Sequence, residues 1–140
     1  LLVDKLEQHG LRSRVRVIAS GKLVTPAEVA LALCAGADFV VSARGFMFAL
    51  GCIQALQCNA NTCPTGITTH DKRLQAGLDV EDKAARVARY AESMHAEIGI
   101  IAHSCGVSEP RKLRRYHCRV VGPDGRSRAL DELQTVGASS

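Results

Sequence analysis

Three cysteines lie close together in a part of the chain that has no helix or strand periodicity. Cys52, Cys58 and Cys63 are separated by five and four residues, and a proline follows the last of them. The stretch 52–70 is rich in Asn, Thr, Pro and Gly, a composition typical of a loop. Thiolates bind iron, and three on one loop can converge on a single cluster. We therefore predict that these cysteines ligate a metal, and a three-cysteine set favours a [3Fe–4S] cluster. Zinc is the alternative, with His70 as its fourth ligand.

The other three cysteines do not share this spacing. Cys34 falls on an apolar predicted helix and is expected in the core, where a thiol packs as a small hydrophobe. Cys105 and Cys118 are also expected to be buried, although either could supply a distant fourth ligand. The chain alternates apolar strands with apolar helices, which indicates a reducing compartment rather than a secreted disulfide scaffold.

Two short turns, each after an apolar stretch, combine glycine with a basic residue: Ser20, Gly21 and Lys22 in the first, and Ala43, Arg44 and Gly45 in the second. In a parallel barrel, the turns at the carboxyl ends of the strands build the active face. Glycine allows a close approach of the backbone, and N–H groups at a helix N-terminus bind phosphate. Either turn alone is an ordinary connection, but the two together, one helix apart, predict a phosphate site.

Helices and strands must position these residues, and the sequence predicts them in the order α-β-α-β-α. The first helix is predicted over Leu1–His9 and is closed by Gly10. A T-x-x-E capping box from Thr25 to Glu28 begins the next helix, which ends at Gly36. The other predicted elements are the strands Val15–Ala19 and Asp38–Ser42, and a helix Phe46–Leu50 opened by Gly45. This order is typical of a parallel α/β sheet or barrel.

The second half of the chain is predicted to be mainly helical. Asp79 can cap a helix whose apolar positions recur at spacings of four and three, and Gly99 and Gly106 interrupt the segment after it. Those apolar positions are Val80, Ala84, Val87, Ala91 and Met94. Three further features are expected: a short basic helix over 110–115, a turn over 122–125 between two short strands, and a frayed tail from Thr135. We interpret the basic run as a solvated face, with docking of an acidic electron donor as the alternative.

Composition narrows the possible functions. The chain of 140 residues is 46% hydrophobic and 23% charged, so it can bury a core. Its net charge of +4 is mild and aromatic residues are not interleaved with basic ones, so nucleic-acid binding is not expected. No apolar run reaches the roughly 18 residues of a membrane span. We expect a cytoplasmic protein. Leu1 falls in the middle of a predicted helix, so we also expect that an N-terminal part is missing, and a membrane anchor in that part remains an alternative.

The cysteine loop carries a resemblance to a known family. ALGCIQALQCNANTCPTGITTHD resembles the iron–sulfur loop in the FMN-binding domain of glutamate synthases. ASGKLVTPAEVALALCAGADFVVSARGF resembles that family's last two barrel strands and FMN phosphate site. The motif match covers roughly residues 15–75, and VEDKAARVARYA, GIIAHSCGV and EPRKLRRYH are similar to bacterial members. Both turns depart from those of the larger glutamate synthases: Lys22 replaces a second glycine, and Ala43-Arg44 replaces Gly-Thr.

The resemblance implies a fold and a reaction. The expected fold is α/β: the C-terminal portion of a (β/α)8 TIM barrel with a cysteine-rich loop (1–75) and a helical C-terminal extension (76–140). It implies FMN held near Gly21, Lys22, Arg44 and Gly45, and a [3Fe–4S] cluster on Cys52, Cys58 and Cys63. As an oxidoreductase acting on CH–NH2 donors, the whole protein would pass electrons from cluster to FMN and reduce 2-iminoglutarate to glutamate. Its partners would be 2-oxoglutarate, an ammonia donor, and an electron-donor protein or NAD(P)H-linked subunit.

Three alternatives stay open at this point. One is a related FMN amine or methylamine–glutamate enzyme. The second is a barrel of the inosinate dehydrogenase kind, against which Cys58 and Cys63 argue. The third is a zinc-stabilised, non-enzymatic α/β binding module. For the favoured assignment, the resemblance implies that the residues binding the flavin ring and the imine lie outside this chain, so we expect residues 1–140 alone to be inactive.

Overall fold

A computed structural model describes residues 2–133 of the chain. Its central feature is a pair of parallel strands, β1 (Ile18–Ser20) and β2 (Phe39–Val41). Helix α2 (Pro26–Cys34) connects them, so β1, α2 and β2 form one βαβ unit. The α/β fold class is therefore confirmed. The described residues do not include the eight strands of a closed barrel, and the barrel stays a prediction.

Both strands are shorter than predicted, and β1 begins at Ile18 rather than at Val15. The reason lies at Asp38, whose carboxylate accepts a hydrogen bond from the Val17 N–H at 2.7 Å. The Asp38 N–H in turn donates to the Val17 carbonyl at 2.8 Å, and Arg12 pairs with the carboxylate at 2.9 Å. Hydrogen bonds from Arg12 and Val17 hold the pKa of Asp38 below its ordinary value. The Val17 N–H is thus bonded to a side chain, although the Val17 carbonyl also accepts from the Phe39 N–H at 3.2 Å, and the paired ladder starts at Ile18.

The capping box of α2 is confirmed. The Glu28 N–H donates to the Thr25 hydroxyl at 3.4 Å, and the Thr25 N–H donates to the Glu28 carboxylate at 2.8 Å. Pro26 occupies the first helical position, where its missing N–H has no intrahelical partner to lose. The helix ends as predicted before Gly36, whose φ of +102° suits glycine. The first helix is confirmed as well, as α1 (Leu2–Gln8).

The second turn was predicted wrongly in one respect. Helix α3 (Ala43–Leu50) begins at Ala43, so Ala43, Arg44 and Gly45 are its first turn and not a loop before it. Ser42 holds the N-cap position, yet its side chain does not cap the helix. The Ser42 hydroxyl is directed elsewhere, since it donates to the Leu23 carbonyl across the first turn.

A loop and the short helix α4 (Lys72–Gln75) lead into α5 (Val80–Ser104), which Asp79 caps as predicted. The helix runs through Gly99, which does not interrupt it. Its predicted apolar face is wrong at the first turns, where Val80 is 73% exposed and Ala84 is also exposed. The α5 side chains that lie nearest the end of α3, at Gly51, belong to Lys83 and Arg86, beyond Val80 in the chain. Further along, α5 packs against both α2 and α3.

The core lies where α2, α5 and the C-terminal segment meet. Its buried members are Ala30 and Cys34 from α2, Ala102 from α5, and Leu113. Cys34 is therefore a core residue, as predicted. Five partly buried residues pack against this cluster: Leu33, Ile101, Cys105, Val107 and Cys118. Burial first, and then the nearby Cys118 and Cys105 thiols, raise the pKa of Cys34 to about 11.

The C-terminal segment differs from prediction in one place. The expected basic helix over 110–115 is instead two 3-10 turns, Pro110–Lys112 and Arg115–His117, because the buried Leu113 lies between them in a non-helical conformation. The predicted turn over 122–125 does join two antiparallel strands, β3 (Arg119–Val121) and β4 (Ser127–Ala129).

Three other expectations concern the chain as a whole. The predicted frayed tail from Thr135 falls outside the described residues. The division at residue 75 stays a prediction, although α5 packs onto elements from before it. Between residues 2 and 133, no helix combines the length and apolar character that crossing a membrane requires.

Candidate functional site

A cavity of about 410 Å³ opens where β1 and β2 end and their following turns meet. Five of the six predicted cofactor residues line it: Ser20, Gly21, Lys22, Ala43 and Arg44. The sixth, Gly45, is not part of the lining. The remaining lining comes from the adjacent turn and strand, from α3 and from the cysteine loop: Leu23, Val41, Met47, Phe48, Cys52, Gln54, Leu56 and Cys58. The structure thus brings both turns and part of the loop to one place.

The first turn has a backbone that suits glycine. Gly21 has φ +118°, and a Cβ built there would meet no atom within 4 Å, so the space above its backbone is open. Lys22 has φ +57°, in the left-handed region, where a side chain costs about 1–2 kcal/mol relative to the right-handed form. Two consecutive residues with positive φ make a tight bend whose backbone faces the cavity.

The second turn contributes a helix N-terminus. Ala43 and Arg44 are the first residues of α3, and the opening N–H groups of a helix have no intrahelical acceptor. These N–H groups and the helix dipole favour an anion at this end of the cavity. The side chains of Lys22 and Arg44 are exposed there, and neither forms an ion pair with an acidic side chain within residues 2–133.

Gly45 has a different role from its neighbours, because it is buried under α5. A Cβ at this position would overlap the Tyr90 hydroxyl and would lie 2.6 Å from the Ser42 hydroxyl oxygen. The absence of a side chain at Gly45 therefore allows α5 to approach the first turn of α3. The Phe46 ring meets the Tyr90 ring edge-on, with centroids 5.1 Å apart.

The three loop cysteines line one small hollow beside the cavity. Cys52 and Cys58 border both spaces, while Cys63 borders the hollow alone. Cys63 is buried, Cys52 is half-buried and Cys58 is exposed. The structure therefore brings the three predicted ligands around a common space. Cys105 and Cys118 lie instead against Cys34 in the core.

Two threonines of the loop act on Cys63. The Thr65 hydroxyl lies 3.2 Å from the Cys63 sulfur, and its hydrogen bond is the largest cause that lowers the pKa of this thiol to about 6. The Thr68 N–H and hydroxyl lower that pKa further. Thr68 also lines the hollow, and its buried hydroxyl oxygen has no partner of ordinary hydrogen-bond geometry among the described residues. A lowered pKa keeps a thiol in the thiolate form that binds metals.

The rest of the loop is held by its own hydrogen bonds. Asn61, at φ +61°, accepts from the Thr69 hydroxyl at 2.5 Å and from the His70 N–H at 2.7 Å. The Gln75 side chain of α4 donates to the Thr69 carbonyl at 2.6 Å. Gly66 lies so close to α4 that a Cβ would be 2.6 Å from the Leu74 carbonyl oxygen. These contacts fix the end of the loop that carries Cys63.

The thiols around the hollow are the donor type that iron–sulfur clusters take. Within residues 2–133, no group of three or more His, Cys, Asp or Glu side chains is gathered closely enough to hold one metal ion. His70 does not line the hollow, so the predicted zinc set with this residue is not assembled. A cluster takes each thiolate on a different iron, and the three cysteines border the same hollow. The buried Thr68 hydroxyl offers a hydrogen-bond donor to such a group.

The cavity likewise fits a phosphate. It has open backbone at Gly21, a helix N-terminus at Ala43 and two cationic side chains, with no acidic residue in its lining. Sequence reasoning missed three contributors to the site: Thr65, Thr68 and Tyr90. The threonine-rich run after Cys63 offered a signal for the first two. Nothing in the spacing of Tyr90 pointed to the turns that it contacts.

Comparison with known proteins places the chain in a family. The profile of a conserved region in glutamate synthase matches residues 2–108. The chain therefore belongs to the glutamate synthase family, as its motifs predicted.

Individual relatives agree with this assignment. The glutamate synthase large subunit-like protein YerD of Bacillus subtilis is 44% identical over 133 residues, which cover 94% of this chain and 25% of YerD. An archaeal glutamate synthase [NADPH] of Methanocaldococcus jannaschii is 33% identical over 130 residues, or 93% of this chain and 26% of that protein. The glutamate synthase [NADPH] large chain of Azospirillum brasilense is 37% identical over 70 residues, or 50% of this chain and 5% of that protein. The chain thus spans about a quarter of the first two relatives.

Proposed function

We propose that this chain is the part of a glutamate synthase-type oxidoreductase that grips the phosphate of FMN and ligates an iron–sulfur cluster. One observation carries the proposal: both strand-to-helix turns and two of the three loop cysteines line the same cavity of about 410 Å³. A flavin held there by its phosphate would lie near the cluster, and electron transfer requires the flavin ring to be close to it.

The proposed phosphate grip uses the backbone more than the side chains. Gly21 leaves its peptide accessible, and the N–H groups of Ala43 and Arg44 point from the start of α3. The cationic ends of Lys22 and Arg44 add attraction at the mouth of the cavity. Lys22 departs from the second glycine of larger family members, so here a positive charge would replace part of a backbone contact.

The proposed cluster site uses Cys52, Cys58 and Cys63 as ligands. Thr65 and Thr68 would donate hydrogen bonds toward the sulfur of Cys63 and so orient it. When bound, FMN supplies hydride transfer to 2-iminoglutarate, formed from 2-oxoglutarate and ammonia, and the cluster supplies the electrons. The residues of this chain would hold and orient these groups. The names of two of the relatives include NADPH, which supports an NADPH-linked electron donor.

We also propose that β1 and β2 are two strands of a (β/α)8 barrel. Side chains alternate along a strand, and here one face packs on helices while the other is open. Ile18, Phe39 and Val41 lie on that face and are 62%, 47% and 45% exposed, with the Arg111 guanidinium over the Phe39 ring. Further strands of a barrel would cover them. On this basis residues 1–140 alone would lack the walls of the flavin site and would not catalyse the reaction.

Replacing Gly21 by valine in the full-length protein tests the phosphate grip. The new side chain would enter the open space above the Gly21 backbone, and we expect the purified protein to lose its flavin. Gly10→Val is the matched control, because Gly10 also has positive φ and open space but lies outside the cavity. Flavin content per protein is the measurement. Equal retention in both variants, or equal loss, would contradict the assignment.

A further inference from the structure

Helix α5 contacts both cofactor turns through one side chain. The Tyr90 hydroxyl donates to the Val24 carbonyl at 2.8 Å, and its oxygen lies 2.9 Å from the Ser42 hydroxyl oxygen. Val24 lies two residues beyond Lys22 of the first turn, and Ser42 immediately precedes the helix that forms the second. One hydroxyl group therefore bridges the two turns.

The two hydroxyl groups form a connected network with the first turn. Ser42 also donates to the Leu23 carbonyl. Two hydroxyl hydrogens, one from Tyr90 and one from Ser42, thus serve three contacts: to Leu23, to Val24 and to each other. Because a hydrogen is shared, removing either hydroxyl changes the bonds that the other can make.

The first turn is held from its other side as well. The Val24 N–H donates to the Glu28 carboxylate at 2.8 Å, so Val24 is fixed at both its N–H and its carbonyl. This anchor lies just beyond Lys22, whose φ of +57° is unfavourable for a side chain. Anchoring Leu23 and Val24 therefore opposes relaxation of the strained turn.

Shape complementarity fixes the tyrosine in turn. Gly45 has no side chain where the Tyr90 hydroxyl lies, and the Phe46 ring packs edge-on against the Tyr90 ring at an interplanar angle of 84°. Tyr90 itself does not line the cavity. The contacts of Tyr90 with Val24, Ser42 and Phe46 go to residues that flank the cavity, which is the position of a residue that acts through its neighbours.

We propose that Tyr90 is a positioning residue that sets the separation between the Gly21–Lys22 turn and the N-terminus of α3, and thereby the affinity for a phosphate held between them. The identity of the ligand as FMN rests on the proposed function. The coupling of the two turns by Tyr90 rests on the hydrogen bonds alone.

Tyr90→Phe in the full-length protein is the first test, with FMN and riboflavin as ligands. Riboflavin lacks the phosphate, so its affinity measures binding of the flavin ring without the phosphate contacts. Loss of one hydrogen-bond network should weaken FMN binding about three- to tenfold and leave riboflavin binding unchanged. Tyr116→Phe is the control, since Tyr116 is 57% exposed and lies outside the cavity. Equal weakening of both flavins, or of neither, would overturn the proposal.

A double-mutant cycle tests the route of action. Gly45→Ala should weaken FMN binding by displacing Tyr90, and its effect should be smaller in a Tyr90→Leu background, where the 2.6 Å contact with the Ser42 hydroxyl oxygen remains but the overlap with the Tyr90 hydroxyl is gone. An equal effect of Gly45→Ala in both backgrounds would show that Gly45 acts without Tyr90 and would contradict the proposal.

Hydrogen exchange separates this proposal from the proposed function. If wild-type protein binds neither flavin, the assigned ligand is wrong, but amide exchange in the segments 21–24 and 43–46 still reports the coupling, through the hydrogen-bonded N–H groups of Val24 and Phe46. We expect Tyr90→Phe to accelerate exchange in both segments together. Unchanged exchange in either segment would overturn the role of Tyr90 whatever the ligand.

Discussion

Lys22→Gly should make the protein more stable and its grip on FMN weaker. At φ +57°, removing the side chain relieves about 1–2 kcal/mol of backbone strain. Glycine also gains freedom in the unfolded chain, which costs about 0.5–1 kcal/mol, so the net change is a stabilisation of about 0.5–1 kcal/mol. The lost charge acts in the opposite direction on binding. A cation about 5 Å from a dianionic phosphate contributes about 1–2 kcal/mol in water, before discounting for salt.

Thermal unfolding of the flavin-free protein and FMN titration at low and high salt measure the two effects separately. Lys22→Gln is the matched control, because it removes the charge and keeps the strained backbone. We expect it to weaken FMN binding about as much as Lys22→Gly, without the gain in stability. Both losses of affinity should shrink at high salt. A Lys22→Gly variant that is less stable than wild type would refute the strain argument, and unimpaired FMN binding by Lys22→Gln would refute the charge argument.

Two further predictions concern the cluster loop and pH. Replacing each loop cysteine by serine in turn should lower iron and sulfide content after anaerobic reconstitution, whereas Cys105→Ser should not; retained iron in all three loop variants would count against the site. The Thr25 and Val24 N–H groups lower the pKa of Glu28, so its contribution to stability is present above about pH 4.5 and declines as the pH falls through the lower folded value. Urea unfolding at pH 7 and pH 3.5 should therefore show a smaller pH dependence for Glu28→Gln than for the exposed control Glu92→Gln, and equal dependence would contradict this assignment.

Structural features that depend on neighbouring residues were predicted well, because the interactions that form them are short in sequence. The capping box at Thr25 and the turn over 122–125 each depend on residues within four positions of one another. The start of α3 was missed for the opposite reason. Ser42 would ordinarily cap a helix, but its hydroxyl is engaged by Leu23 and by Tyr90, which lies 48 residues further along the chain. No pattern near Ser42 contains that information.

The candidate site was predicted in the same uneven way. The cysteine spacing and the glycine–basic turns identified residues that line the hollow and the cavity beside it. Ligand-binding residues concentrate in short loops, so local sequence patterns can find them. Gly45 was assigned with its neighbours by position, whereas its small size serves the approach of α5. The Val80 end of α5 was placed on the packed face because periodicity identifies a helix face but not where its neighbour begins.

The two environments of the cysteines have a consequence for how the protein would acquire iron. The pKa of Cys63 is about 6 and that of Cys34 is about 11, so at neutral pH the first sulfur is mostly anionic and the second is protonated. Iron binds the anionic sulfur and must displace a proton from the other. A newly folded chain therefore does not offer its thiols equally to an incoming metal: the threonine hydroxyls of the loop favour delivery there, and burial protects Cys34 from mismetallation.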